Sequence, residues 1–402
     1  MTGITFMHTG DEHIDSDAHG TLNPLTGRNT AWESNYRVLR HLAEQAVERG
    51  VDFFLSAGDN FKTGRPSQEA LLMFVEALTP LADAKIPVVL LDGNHHLTGV
   101  PADHRTVIHV VAEMLRAKGG TVIIASNPRL IRLDNGAQIA ALPWLSKNRV
   151  LNELGATTSS AADGDRLVAE YGIRKLEELA NEADPGAPLI MASHVTVDHL
   201  RIDAVTEGFR RGSELDLAHL FSEPVLPVAE LEQLPFQYGA LGHIHTPQHF
   251  GDRYWYAGSP NRLTFTDMRD EKAGNLVTLS TAGDLLVEKV ITPARRMVSI
   301  DLEDDGWEQV LDTVAEKDLV QVRLVTGAPE VPREVRKAIA EAGATLADTK
   351  ARPKPREEVK KVSLPDKVDP MTALRRWAEL NAPEGVDPAT LIHAAEQLDA
   401  AA

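Results

Sequence analysis

Five short runs of the sequence carry carboxylate, amide and imidazole side chains and no thiol. They are Asp11-Glu12-His13, Gly58-Asp59-Asn60, Gly93-Asn94-His95-His96, the single His194, and Gly242-His243-Ile244-His245. Oxygen and imidazole donors without sulfur suit divalent ions of the Mn, Fe, Co, Ni or Zn type. Alternate residues of an extended segment share a face, so Asp11 with His13, and His243 with His245, can each chelate one ion. The glycines ahead of Asp59, Asn94 and His243 relieve crowding where backbone must turn toward an ion. Taken singly, each run is ordinary: an Asp-x-His is a solvated loop, a Gly-Asn-His is a turn, and a histidine in an apolar strand is a satisfied core residue. His8 is read in that last way, as structural or as a support behind the ligands. Five such runs in order, each at the end of an expected strand, point instead to one site, because α/β folds build their sites where strands end.

The elements that must position these residues alternate. Ile4–His8 reads as a strand, and a helix is expected from about Asn29 to Glu48, with Trp32, Tyr36, Leu39, Ala43 and Ala46 at helical spacing. Val51–Ala57 is a buried-strand candidate, Ser67 is placed to cap the next helix, and Pro87–Leu91 is a third strand. Past Gly120 the pattern turns strand-rich. TVIIAS, PRLIRL and AQIAALPW read as meandering strands with a turn at Asn135-Gly136, followed by a helix over Asp165–Glu182 and a strand over Leu189–Val195. Asp198–Leu226 shows no period and reads as a long loop. Tyr238–His245, Tyr254–Ala257 and Leu276–Leu279 are further strands. After a boundary near Thr292, strands at Met297–Leu302, Leu319–Val325 and Thr345–Thr349 and helices around Trp307–Val314 and Pro332–Ala342 make a small α+β unit. A Pro/Lys/Arg-rich linker and two short helical segments, Asp369–Leu380 and Asp387–Ala400, end the sequence. This rhythm predicts an α/β layered fold.

The chain has 402 residues, enough for two or three domains. The absence of cysteine excludes disulfides, zinc fingers, iron–sulfur clusters and cysteine nucleophiles, and fits a reducing cytoplasm. No apolar run reaches the length of a membrane span, and the first residues lack the pattern of a secretory signal. A net charge of −18 argues against nucleic acid if taken alone. The charge is uneven, however: Lys350–Arg376 holds nine Lys/Arg against four Asp/Glu. Cations bound among the carboxylates would change the local balance further.

The ordered motif set resembles the calcineurin-like metallophosphoesterase superfamily, and within it the Mre11/SbcD-type DNA-repair nucleases. MHTGDEH is similar to that family's opening strand and Asp-x-His, GDNFKTGRPS to its second motif and GNHH to its Gly-Asn-His-Asp motif. ALGHIH and YAGSPNRL are similar to its closing metal motif and the stretch after it. The resemblance covers residues 1–290 and extends by order and size to about 350. It implies a four-layer α/β/β/α core of two packed mixed sheets flanked by helices, with a small α+β cap and a C-terminal helical tail. The implied domains are a nuclease domain over 1–292, a DNA-binding cap over 293–350 and a partner-binding linker and helices over 351–402.

Carried over by position, the resemblance implies two divalent ions, Mn²⁺ first, with Mg²⁺ or others also admissible. Asp59 would bridge them, with Asp11, His13 and His245 on the first and Asn94, His194 and His243 on the second. His95 would stabilise the phosphorus in transition or protonate the leaving oxygen. The implied activity is hydrolysis of phosphodiesters, 3′→5′ on duplex ends and endonucleolytic on single strands or hairpins. The implied partners are DNA, bound without sequence preference, a coiled-coil ABC ATPase of the Rad50/SbcC kind, and a second copy of the chain. Two departures stand out: His96 where the family has Asp, and Lys62 where relatives often have His. Lys62, Arg210, Arg211 and Arg262 are candidate phosphate contacts. Met371, Leu374, Trp377 and Ala378 form a stripe suited to docking in a groove of the ATPase. The competing readings are a phosphodiesterase of cyclic or small nucleotides and a non-catalytic scaffold tethering the ATPase to DNA. Protein phosphatases are set apart by motifs that this sequence lacks.

Overall fold

A computed structural model describes residues 3–97, 105–198, 223–280, 283–302, 306–325 and 330–352, with Ala389 and Ile392 isolated beyond them. Two six-stranded mixed sheets make the core. Four parallel strands begin the first: β1 (Ile4–Thr9), β2 (Phe53–Ser56), β3 (Val88–Leu91) and β4 (Val122–Ala125). The second contains β5 (Arg129–Arg132), β6 (Gln138–Leu142), β7 (Leu189–His194), β10 (Tyr238–Gly242), β11 (Gln248–Phe250) and β12 (Tyr254–Tyr256). Within it β6, β7, β10 and β12 run parallel, while β5 and β11 are antiparallel edges. A short parallel ladder of β8 (Thr196–Val197) and β9 (Val225–Leu226) lies beside it. The chain then returns to the first sheet, adding β13 (Ala273–Leu279) and β14 (Leu285–Ile291) antiparallel beyond β1.

The strands are continuously apolar because both of their faces are covered. Phe53 and Leu55, Val89 and Leu91, Ile139 and Ala141, and Ile190 and Ala192 point into the layer between the sheets. The intervening Phe54, Val88 and Leu90 pack instead against α1 (Thr30–Glu48), α2 (Gln68–Asp83) and α4 (Val107–Ala117). Between β3 and α4, the single turn α3 (Asn94–Leu97) carries the third motif. On the other side, Ala140, Leu142 and Met191 pack against α6 (Ala161–Glu182). The four-layer α/β/β/α order thus follows from alternation along each strand. Asn29 and Ser67 cap α1 and α2, each side-chain oxygen accepting a backbone N–H.

The expected meander over residues 120–142 is corrected. Only β5 and β6 form a hairpin; β4 belongs to the first sheet, so the chain changes sheets at Ser126-Asn127-Pro128. Helices over Val107–Ala117 and Lys147–Leu154 (α5), and strands β11 and β14, are additional to those read from the sequence. Within the stretch expected as loop, Val225–Leu226 forms β9 and residues 199–222 lie outside the described residues.

A third sheet follows, of parallel strands β15 (Met297–Asp301), β16 (Leu319–Val325) and β17 (Thr345–Arg352), with helices over Trp307–Asp312 and Arg333–Glu341. It has an apolar cluster of its own around Ile300, Val320, Val322, Val335 and Ile339. Its contact with the core runs through Phe265, Met268, Met297, Leu319 and Ala347. Arg295 clasps the junction, donating to the carbonyls of Ala18, Arg262 and Leu263.

Between the two large sheets, Phe6 stacks on Phe53 at 4.6 Å and meets the edge of Tyr238 at 5.6 Å. His8 Nδ1 lies 2.9 Å from the Tyr238 hydroxyl, a polar link between sheets at a fully buried position. Burial pushes the His8 imidazole down to about 3, against a weaker upward pull from a backbone hydrogen bond at Leu241. The unfolded imidazole titrates near 6.5, so below that pH the unfolded chain binds more protons than the folded one and stability falls as pH falls. From pH 7 to pH 5 this residue should remove about 2 kcal/mol. Urea unfolding of the metal-free protein should show that extra loss relative to His8→Gln; parallel curves would sink the assignment.

Candidate metal centre

The five motifs leave the C-terminal ends of β1, β2, β3, β7 and β10 and converge. Asp11, His13 and His245 present donor atoms within 4.8 Å of one another, and so do His13, Asp59 and His95, and Asp59, His194 and His243. His13 and Asp59 each belong to two of these groups and join them into one array. Asn94 completes it, with its Oδ1 at 3.0 Å from His194 Nε2.

The backbone is unusual at these positions. Asp11, His13, Asp59 and His243 have φ of 54°, 38°, 51° and 100°, a region costly for residues with a Cβ. Local hydrogen bonds hold them there. The N–H groups of Asp11 and His13 donate to the carbonyls of Gly58 and Asp59, and the N–H of His243 donates to both Asp11 carboxylate oxygens at 3.0 and 2.9 Å. Gly58, at φ 108°, lies against His194, where a Cβ would stand 2.4 Å from Nδ1. A Cβ on Gly93 would stand 2.0 Å from Asp59 Oδ1. The close approach expected of these glycines is therefore a requirement of the packed site.

His194 donates from Nδ1 to the Ala57 carbonyl at 2.7 Å, so in the neutral ring Nε2 carries the lone pair. That lone pair faces Asp59 Oδ2 at 3.2 Å and Asn94 Oδ1 at 3.0 Å. Three electron-rich atoms directed at one another fit a cation. His13 Nε2 and His245 Nε2, 3.2 Å apart, can share one proton or face a cation together. The donor set and this geometry fit divalent ions. Asp59 is fully buried, and burial alone would raise its carboxyl. In the metal-free protein, protonated histidines around it, His194 first and then His13 and His95, outweigh burial and hold it well below the ordinary carboxylate range.

His95 is the more open member, with a quarter of its side chain exposed. Its N–H donates to Asp59 Oδ1 at 3.1 Å, and Nδ1 lies 2.8 Å from the Lys62 carbonyl. Nδ1 is thus the donor, and Nε2 faces the site 4.0 Å from Asp59 Oδ2. Lys62 itself makes a loose ion pair with Asp17 at 3.7 Å and keeps a half-exposed ammonium.

His96, the departure from the family motif, turns away from the ligands. It is buried, its Nδ1 lies 3.2 Å from Asp92 Oδ1, and its Nε2 accepts from the Phe61 N–H at 3.4 Å. Asp92 also accepts from Thr106 Oγ1. His96 therefore ties the end of β3 to the second motif's loop. Glu12 also turns inward, accepting from Ser56 Oγ and Asn60 Nδ2. Burial raises its carboxyl to about 7, while those hydrogen bonds pull it back.

Several supports lie outside the five ligand-bearing runs. Asn35 donates to the His13 carbonyl, and Asn261 donates to Asn35 Oδ1 and Ser34 Oγ, so the Gly-Ser-Pro-Asn stretch braces the first motif. Lys272 is buried and donates to the His245 carbonyl, Ser259 Oγ and Asp270 Oδ2. Trp144 walls the second group, its ring 5.1 Å from His243 and 6.2 Å from His194. Glu223 approaches His243. The polar or aromatic character of these residues is visible in the sequence, but nothing local there marks the contact.

Arg262, expected as a phosphate contact, directs its guanidinium inward to the carbonyls of Arg295 and Asp270. Its position is that of a clasp between the core and the third sheet. Arg210 and Arg211, and the stripe of Met371, Leu374, Trp377 and Ala378, lie outside the described residues. Among the described residues no helix is long and apolar enough to cross a membrane.

A family model described as calcineurin-like phosphoesterase matches residues 4–247. The DNA double-strand break repair protein Mre11 of Methanopyrus kandleri is 24% identical over 366 residues, covering 88% of this chain and 72% of that protein. The SbcD component of the nuclease SbcCD of Escherichia coli K12 is 23% identical over 305 residues, covering 74% of this chain and 70% of that protein.

Proposed function

Because the chain belongs to the calcineurin-like phosphoesterase family of metal-dependent hydrolases, we propose that its substrate is DNA and that it is the nuclease subunit of a complex with a Rad50/SbcC-like coiled-coil ATPase. The observation that carries this reading is the reach of the similarity. The alignment with the Methanopyrus protein spans 366 residues and so extends well past residue 247, where the family match ends. A hydrolase of small phosphodiesters has no use for a third sheet and the chain beyond it. The two relatives are named as a break-repair protein and as part of a nuclease, which supports DNA as the substrate class.

In this reading Asp59 would serve two divalent ions, Mn²⁺ first among the candidates. Asp11, His13 and His245 would hold one, and Asn94, His194 and His243 the other. Divalent ions held there supply Lewis acidity toward a phosphodiester and ease the loss of a proton from water. The chain's own groups do the rest. The Lys62 carbonyl fixes the His95 ring, so Nε2 meets the reacting phosphate and, as imidazolium, hands its proton to the leaving oxygen. The Lys62 ammonium adds a point charge for a neighbouring phosphate. Residues 293–350 serve as the DNA-facing cap. The basic linker and the stripe at Met371, Leu374, Trp377 and Ala378 dock the ATPase, and the nuclease unit pairs with a second copy.

End-labelled duplex and hairpin DNA, digested with Mn²⁺ or Mg²⁺ with and without the ATPase, test the proposal. Shortening from 3′ ends and opening of hairpins are expected, weakening steeply as salt rises because binding is to phosphates. Hydrolysis of cyclic nucleotides with intact DNA would overturn it.

A further inference from the structure

Glu223 lies outside every motif, yet its carboxylate reaches the site. Its Oε1 is 3.3 Å from His243 Nε2 and accepts from Thr196 Oγ1 at 2.7 Å. The β8–β9 ladder pairs Thr196 with Val225, so backbone pairing sets the spacing between hydroxyl and carboxylate. The contact is secluded, with 11% of the Glu223 side chain and 2% of the His243 side chain exposed. An ionised carboxylate only accepts, so Nε2 must carry the hydrogen for the contact to be favourable. In the neutral ring that leaves the lone pair on Nδ1, and His243 forms one donor group with Asp59 and His194. His194 obeys the same logic with its nitrogens exchanged: Nδ1 is held by a carbonyl and Nε2 is offered.

We propose that Glu223 is a positioning residue of the metal centre, which accepts the Nε2 proton of His243, fixes the ring and makes Nδ1 the ligating atom. The inference rests on the two-ion reading above. A carboxylate behind a ligating imidazole orients it and raises its basicity, and loss of such a partner typically weakens metal binding ~10–100-fold.

The test is calorimetric titration of Mn²⁺ into the metal-free full-length chain, for the parent, Glu223→Ala and Glu223→Gln, with thermal unfolding of each metal-free form. The parent should take up two ions. Glu223→Ala should keep one at parental affinity and weaken the other ~10–100-fold, with unchanged unfolding. Glu223→Gln, whose amide oxygen can still accept from Nε2, should recover most of the loss. Parental affinities in Glu223→Ala would overturn the inference, and so would lowered unfolding with both ions lost, the mark of a merely structural role. Equal losses in Ala and Gln would also overturn it, by making the carboxylate a direct ligand. A parent chain that binds no Mn²⁺ would remove the two-ion reading itself, and this inference with it.

Discussion

Asp59→Asn is expected to abolish Mn²⁺-dependent cleavage through loss of ion binding, whereas His95→Ala should keep both ions and lose ~10²–10⁴ in kcat. The two differ because of where each side chain stands. Asp59 is fully buried and belongs both to the group with His13 and His95 and to the group with His194 and His243. Asparagine preserves volume but removes the negative charge that the two groups share. Its amide nitrogen would also donate into His194 Nε2, where Asp59 Oδ2 now stands at 3.2 Å, and so occupy the lone pair offered to a cation. His95 forms part of the rim instead, a quarter exposed and anchored through Nδ1 to a carbonyl. Its loss removes a proton donor rather than a ligand. Mn²⁺ titration beside single-turnover cleavage separates the two effects. Two ions bound normally by Asp59→Asn would end the bridging assignment.

The motifs are legible in the sequence because each follows a strand whose apolar residues announce it. VDFFLSA and PVVLL are buried on both faces and end at Gly-Asp-Asn and Gly-Asn-His. What binds the motifs to one another is not legible. The bond from Asn261 Nδ2 to Ser34 spans 227 positions, and no local period encodes it. Glu223 lies in a stretch without hydropathy pattern, and its approach to His243 exists only once β8 and β9 pair. The expected meander fails for a related reason: alternation along β4, β5 and β6 tells which faces are apolar, not which sheet each strand joins. The helix over Val107–Ala117 does carry a signal, since Val107, Ile108, Val111, Ala112 and Leu115 recur at helical spacing and are all buried. His96 shows the limit of motif comparison. Its type departs from the family pattern, yet the side chain ties Asp92 to the Phe61 backbone and takes no part in the three donor groups found among the described residues.

Lys272→Met should cost about 3–5 kcal/mol, the usual consequence of removing one partner from a buried ion pair. The ammonium is enclosed by Asp270 Oδ2 at 3.0 Å, Asp267 Oδ1 at 3.8 Å, Ser259 Oγ at 3.0 Å and the His245 carbonyl at 2.9 Å. Burial already raises the Asp270 carboxyl, and Lys272 is the chief opposing influence. Without it, the Asp270 carboxylate stays in the interior with only the weaker pull of Arg262 to offset burial and the neighbouring Asp267. The same substitution frees the His245 carbonyl from its side-chain donor, while the Ser259 N–H still donates to it at 3.1 Å. His245 then sits less firmly opposite His13, so affinity for the ion in the Asp11/His13/His245 group should fall as well. Pairing Lys272→Met with Asp270→Asn separates the two consequences. Neutralising the stranded carboxylate should return much of the stability, while ion affinity stays low because the carbonyl still lacks its donor. Urea unfolding of the metal-free variants and Mn²⁺ titration read these separately. A loss below about 1 kcal/mol, the scale of an exposed ion pair, would mean that the ammonium is not enclosed in solution and that the Gly-Ser-Pro stretch is joined to the closing metal motif by other means.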